Sequence, residues 1–391
     1  MPRIVTLALV RSDGVLLGAL PAFRVETPWW QETAEVVAGA RDRFGVEVAV
    51  LRLLRGENSA PPGGAVTYLA EVATAPAVPL EPVDVDLADD PRRADYARPG
   101  GPAASLDWAA DRLADLGLGP IGTVTQQRTW NLSAIWRLET AAGTVWLKQV
   151  PRIFLQEHRL LRRLAAEGFG LVTPMQLATD GRRMLLAHIP GEDLYGAALP
   201  VRQAIADRLH DIQLTAAVQT EALLDLGVDD LRGPVLSAAV KLMTRGYADL
   251  DPALVALVDG LPARMAQVEA CGLPETLVHG DFHPGNTRGD ENHQVILDWG
   301  DAFIGHPAFD ILRLTEDVSD ADADVLLTAW AQRWREDVPG SAPERAVELL
   351  RPVAALRNAL VYHRFLRAIE PSEHPYHAAD VPYWLKKAIT G

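Results

Sequence analysis

The chain has 391 residues, 48% of them hydrophobic, which is enough for two or three domains with cores of their own. Its 37 basic and 52 acidic residues leave a net charge of −15. That balance argues against nucleic acid or an anionic membrane as partner, since both need a basic face, and it is compatible with a cationic small molecule. The single cysteine, Cys271, excludes an internal disulfide framework and a thiolate zinc site. The opening MPRIVTLALVRSDG is too short and too soon interrupted for a signal peptide, and no apolar stretch reaches membrane-spanning length, so the chain reads as cytoplasmic.

Residues 1–75 read as a small α/β unit. Arg3–Val10 and Val15–Leu20 are expected strands around an Asp13-Gly14 turn. A helix is expected over Gln31–Phe44, closed by Gly45, followed by strands Glu47–Leu54 and Ala65–Val72. Residues 76–104 are rich in Pro, Ala, Asp and Gly and read as a linker or an extended wrapping segment. Residues 105–189 open with an amphipathic helix, Ser105–Leu116, with Ser105 as its N-cap. Strands follow at Val124–Gln127, Leu132–Glu139 and Thr144–Val150. Next come a helix at Leu155–Glu167 and a strand at Arg183–His188. Residues 190–391 are mainly helical, with a strand-like island at Leu277–Trp299. The fold class is therefore α+β, a β-rich piece followed by a helix-rich one.

The stretch His279-Gly280-Asp281-Phe282-His283-Pro284-Gly285-Asn286, followed by Ile296-Leu297-Asp298-Trp299, carries the chemistry. Phosphoryl transfer to a hydroxyl needs a carboxylate to orient the hydroxyl and accept its proton. It needs oxygen ligands for Mg²⁺ and a cation for the nucleotide phosphates. Asp281, Asn286 and Asp298 are the right types for the first two tasks. Pro284-Gly285 turns the chain so that Asn286 folds back toward Asp281. The same Pro-Gly pair speaks against a helix carrying His279 and His283 as a zinc pair, and they read as loop-bracing histidines. Lysine is scarce, with four among 37 basic residues, so Lys148 inside the apolar strand Thr144–Val150 needs a reason.

HGDFHPGN, ILDWGD and GHPAFD together resemble the catalytic segment of the aminoglycoside phosphotransferase and choline kinase-like superfamily. The resemblance spans about residues 115–370 and implies a bilobal protein-kinase-like fold, with residues 105–189 as the N-lobe and 190–391 as the helical C-lobe. By the resemblance Asp281 is the catalytic base, Asn286 and Asp298 bind Mg²⁺, and Asp310 braces the catalytic loop. Lys148 meets the phosphates of ATP or GTP and pairs with a helix glutamate, Glu157, with Glu167 and Glu139 as alternatives. The phosphate-covering loop has no glycine in this chain. Arg128 and Thr129 stand there, and backbone amides still have phosphates to face. Residues Ala187, His188 and Ile189 resemble the interlobe hinge that binds the purine edge. Asp301, Tyr362, Glu370 and Glu373 are candidates for the acceptor side.

Residues 1–75 more weakly resemble a Nudix domain. The matching helix keeps Gly45-Val46 but has only Asp42 as an acid, and a Mg²⁺-dependent pyrophosphohydrolase needs several converging carboxylates, so this unit is expected to be non-catalytic. The expected function is transfer of a γ-phosphate from ATP or GTP to a hydroxyl of a sugar, aminosugar or aminoglycoside-like acceptor. A nucleotide-binding scaffold with a regulatory N-terminal module is the alternative. An active Nudix hydrolase fused to a kinase is the third and least supported reading. The sequence leaves the oligomeric state open.

Overall fold

A computed structural model describes residues 2–57 and 63–390. The chain divides into two compact units. The first comprises residues 1–153, 176–188 and 365–379, and the second 154–175, 189–364 and 380–391. The expected N-terminal piece and most of the expected N-lobe thus belong to one unit, except that residues 154–175, with the expected helix Leu155–Glu167, belong to the other; residues 365–379, assigned by sequence to the helical lobe, join the first.

The first sheet of unit one contains β1 (Arg3–Arg11), β2 (Leu16–Ala19), β3 (Phe23–Val25), β4 (Ala49–Gly56) and β5 (Gly64–Val72). Its order is β2-β1-β5-β4, and β3 also pairs with β1. β1 and β5 run parallel at the centre, and their side chains are buried on both faces, which explains near-continuous apolar runs in place of alternation. Helix α1 (Ala34–Phe44) starts three residues later than expected and ends at Gly45, whose φ of 68° is the left-handed C-cap.

Residues 76–104 wrap: Glu81 bridges Ala19, and Val83, Val85 and Leu87 cover Ala8, Val10, Leu51 and Leu69. Helix α2 (Gly101–Asp115) begins one turn before the expected Ser105 cap, because left-handed Gly100 and Pro102 start it earlier. Ser105 is buried inside it.

The second sheet is fully antiparallel, in the order β6-β7-β8-β10-β9. Its strands are β6 (Ile121–Trp130), β7 (Ser133–Thr140), β8 (Gly143–Gln149), β9 (Gln176–Thr179) and β10 (Arg183–Ala187). Leu138, Leu147 and Leu185 pack against Ala109 and Leu113 of α2. The two sheets join through the Gln126 side chain, which hydrogen-bonds both backbone groups of Val50.

In the second unit, α3 (Glu157–Leu164) buries Leu160, Leu161 and Leu164. Two small sheets flank residues 279–286 and 297–302. One is β11 (Glu192–Asp193), β14 (Thr287–Gly289) and β15 (Gln294–Ile296); the other is β12 (Asp229–Asp230), β13 (Thr276–Val278) and β16 (Phe303–Gly305). Around them lie α4 (Leu199–Ala216), α5 (Thr220–Asp225), α6 (Gly233–Thr244), α7 (Pro252–Asp259), α8 (Leu261–Glu269), α9 (Ala308–Leu314), α10 (Asp320–Asp337), α11 (Pro343–Ala368) and α13 (Asp380–Thr390). The short α12 (His374–His377) belongs to the first unit. Among the described residues no helix is long and apolar enough to cross a membrane.

Candidate active site

In the second unit, the loop after β13 is built on a carboxylate. Asp310, near the start of α9, accepts the backbone N–H of His279 at 2.8 Å and of Gly280 at 3.0 Å, and Gln213 Nε2 at 2.9 Å. Burial pushes its carboxyl up to about 7 against these bonds. Gly280 has φ 89°, and a Cβ there would lie 2.3 Å from the Asp301 carbonyl oxygen, so only glycine fits. Arg357, itself buried, donates to the carbonyls of Gly280 at 2.5 Å and Asp301 at 3.1 Å.

The histidines close the loop. His279 is fully buried; its Nε2 donates to Leu297 O at 2.7 Å and its Nδ1 accepts Asp281 N–H at 3.3 Å. Burial lowers it to about 4, so it is neutral and both ring nitrogens are occupied. His283 Nδ1 accepts Gly285 N–H at 3.1 Å, and its Nε2 lies 3.4 Å from Asp281 Oδ2.

Asp281 and Asn286 meet. Asn286 Nδ2 donates to the Asp281 backbone carbonyl at 2.9 Å and to Asp281 Oδ2 at 3.0 Å, which leaves the amide oxygen to face elsewhere. Leu297 N–H donates to Asn286 O at 2.7 Å, bringing the neighbouring Asp298 to the same loop. Asp298 is exposed and has φ 58°, a left-handed conformation rare for a non-glycine residue and concentrated at functional sites. A carboxylate and an amide oxygen, as Asp298 and Asn286 carry, are the hard-oxygen donor types that Mg²⁺ takes.

Sequence reasoning missed Arg313. It projects from α9, one turn after Asp310, and its Nε donates to Asp281 Oδ1 at 2.9 Å. Glu316 receives its Nη1 at 2.8 Å. Burial acts to raise the Asp281 carboxyl, but His283 and Arg313 outweigh it and hold it well below the usual carboxylate range. Arg313 and Arg357 carry no sequence signal in a chain where arginine is the default cation, although the spacing of Arg313 from Asp310 puts both on one helix face.

The remaining candidates divide by unit. Asp301 is half-buried, and burial raises its carboxyl to about 7 against the lowering effect of Arg357. Tyr362 is half-buried, and its hydroxyl is raised by burial, then by Asp380 and Asp281, so both stay near the catalytic loop. Glu157 opens α3 and is buried. In the first unit Lys148 is 9% exposed on β8, between Ile135 and Met184 in the ladder. Ala187 pairs with Val145, and His188 Nδ1 accepts Trp146 Nε1–H at 3.1 Å. The chain crosses to the second unit at Ile189, whose carbonyl accepts Arg288 Nε at 2.9 Å.

Arg128 is paired with Glu32, its Nε 2.9 Å from that carboxylate, and 36% of its side chain is exposed. Three expectations need correction. Thr129 is 2% exposed with its N–H given to Gln31 O at 2.9 Å, so its side chain is not open to phosphate. Glu370 is paired with Arg93 at 2.7 Å, and Glu373 is fully buried against Asn131. Both belong to the first unit and have their oxygens committed there, so they are removed from the acceptor-side set.

The profile of the phosphotransferase enzyme family matches residues 125–349, more than half of the chain. No curated protein is significantly similar to it. Among solved structures, the macrolide 2′-phosphotransferase MphH from Brachybacterium faecium is 20% identical, with 73% of this chain and 98% of that one covered at a TM-score of 0.51. A GDP and kanamycin complex of APH(2″)-IIIa is 17% identical, with 72% and 98% covered at 0.51. Choline kinase LicA from Streptococcus pneumoniae is 13% identical, with 73% and 99% covered at 0.52. At these identities the likeness shows the fold, the protein-kinase-like α+β architecture of small-molecule phosphotransferases.

Proposed function

Because the chain belongs to the phosphotransferase enzyme family, we propose that it transfers the γ-phosphate of ATP or GTP to a hydroxyl of a sugar, aminosugar or aminoglycoside-like acceptor. The observation that carries this reading is the Asp281–Asn286 pairing beside left-handed Asp298, on a loop whose backbone amides are tied to Asp310. Asp281 Oδ1 is fixed by Arg313, and Oδ2 lies within reach of His283 and Asn286. A carboxylate held in this way keeps its charge and aims its lone pairs, so its role is to orient the acceptor hydroxyl and receive its proton as the oxygen attacks phosphorus. Asn286 and Asp298 would hold Mg²⁺, which when bound neutralises phosphate charge. Lys148, an ammonium on a central strand of the first unit, would meet the nucleotide phosphates. Asp301 and Tyr362 line the acceptor side, where carboxylates favour an amine-bearing molecule.

Incubation with ATP or GTP, Mg²⁺ and a panel of sugars, aminoglycosides and amino-alcohols, read by mass spectrometry for the gain of one phosphate, tests the reading. A product with one class of hydroxyl compound supports it, and nucleotide hydrolysis without any phosphorylated acceptor contradicts it.

One observation favours a second reading, a nucleotide-binding scaffold. The amide at the β6–β7 turn, expected to face phosphate, is given to Glu373. Nucleotide-dependent thermal stabilisation with no consumption against any acceptor would select that reading.

A further inference from the structure

A cavity of about 490 Å³ lies within the first unit, among the wrapping segment, the start of α2 and the ends of β8 and β10. Its walls carry Arg92, Arg93, Arg98, Arg152, Arg182 and Arg183, against the two carboxylates of Asp95 and Asp180. For a chain of net charge −15 this is a concentrated reversal of sign. Five of these guanidiniums already have carboxylate partners: Asp90, Glu370, Asp89, Asp95 and Asp180. Arg152 has none among the described residues and is exposed.

Gln149, which also lines the cavity, is 3% exposed, and its Oε1 takes the Ser105 hydroxyl at 2.7 Å. Each guanidinium has five N–H donors in a plane, so an arginine already paired to one carboxylate keeps donors for another acceptor.

The chemistry selects the ligand class. A carboxylate has two oxygens and matches one guanidinium fork, whereas a phosphate group offers more acceptor oxygens and up to two charges to donors arriving from several sides. The volume leaves room beyond the phosphate itself for a sugar- or nucleoside-sized body. We propose that this cavity binds a phosphate-bearing small molecule, seated against Arg152 and Arg182, through residues none of which belongs to the candidate catalytic set.

Calorimetric titration of the full chain with pyrophosphate in the absence of Mg²⁺ tests this, with sulfate at matched ionic strength as the control. Wild type should bind pyrophosphate more tightly than sulfate, and Arg152→Gln should bind it about ten-fold more weakly, the loss of one charged hydrogen bond. Arg152 is exposed, so the variant should fold; an unchanged melting temperature and unchanged ATP–Mg²⁺ affinity check this. Lys148→Ala, which removes the ammonium assigned to the nucleotide, should retain the pyrophosphate response. Pyrophosphate binding no tighter than sulfate, equal binding by Arg152→Gln and wild type, or a response lost in Lys148→Ala but kept in Arg152→Gln would each overturn the proposal.

Discussion

The buried carboxylate of Glu373 accepts the backbone N–H of Asn131, with its two oxygens at 3.2 and 3.3 Å, at the turn between β6 and β7. The contact is reciprocal, since Asn131 Oδ1 accepts the backbone N–H of Glu370 at 3.0 Å. Arg93 grips Glu370 with Nε and Nη2, and Tyr376 stacks on Trp30 at 4.4 Å. Residues from the N-terminal sheet, the wrapping segment, the hairpin and residues 365–379 thus close on one another. A hairpin without glycine is held by its own chain.

Burial raises Glu373 to about 7, above its ordinary 4.5. A carboxyl that binds its proton more tightly when folded stabilises the fold at low pH. That contribution fades as pH climbs from about 4.5 to about 7, and for one such group it is of order 3 kcal/mol. Glu373→Gln keeps an acceptor for Asn131 without a buried charge. Its melting temperature should match wild type near pH 5 and exceed it at pH 8. A variant less stable than wild type at pH 8 contradicts the assignment.

Arg313→Ala should lower kcat by about 100-fold, the size of effect expected when a reacting group is misplaced by about an ångström. The KM for nucleotide should stay near that of wild type, because Arg313 contacts Asp281 and Glu316 and neither is assigned to the nucleotide. Steady-state kinetics with saturating acceptor measure the split. An effect confined to KM would show that Arg313 does not position Asp281.

Gly280→Ala should lose both stability and activity. The new methyl meets the Asp301 carbonyl oxygen at a φ of 89°, where backbone strain and steric overlap act together, at a cost of about 1–3 kcal/mol or more. Denaturant unfolding should show a lower midpoint with an unchanged slope. An unaltered midpoint would mean that the loop relaxes freely.

Asp310→Ala leaves the amides of His279 and Gly280 without their acceptor inside the protein, at about 1–3 kcal/mol for each buried group left unmatched. Asp310→Asn retains one acceptor oxygen and should fall between the two. An Ala variant as stable as wild type would remove Asp310 from the loop's support.

The loop at residues 279–286 was legible because its contacts are local. An acid five residues before an amide, with Pro-Gly between, can hardly avoid bringing Asp281 and Asn286 together, and the apolar strand leading to Lys148 reads from alternation alone. Arg313 and Arg357 were not legible, since one cation among many arginines gains meaning only from the carboxylate or carbonyl it meets in space. Glu370 and Glu373 were misread for the same reason. Their chain position suggests the helical lobe, and their partners Arg93 and Asn131 lie more than 200 residues away. Ser105 looked like a helix cap because Ser favours that position, but Gly100 and Pro102 begin the helix earlier and leave Ser105 to bond Gln149.

Phosphate transfer by Asp281→Asn, with nucleotide binding followed in parallel by thermal shift, tests the central claim most directly. The carboxylate accepts a proton that an amide cannot, so kcat should fall by about 10²–10⁴-fold while the nucleotide still binds. Full turnover by the Asn variant, with any acceptor that wild type phosphorylates, would contradict the assignment of Asp281 as the base.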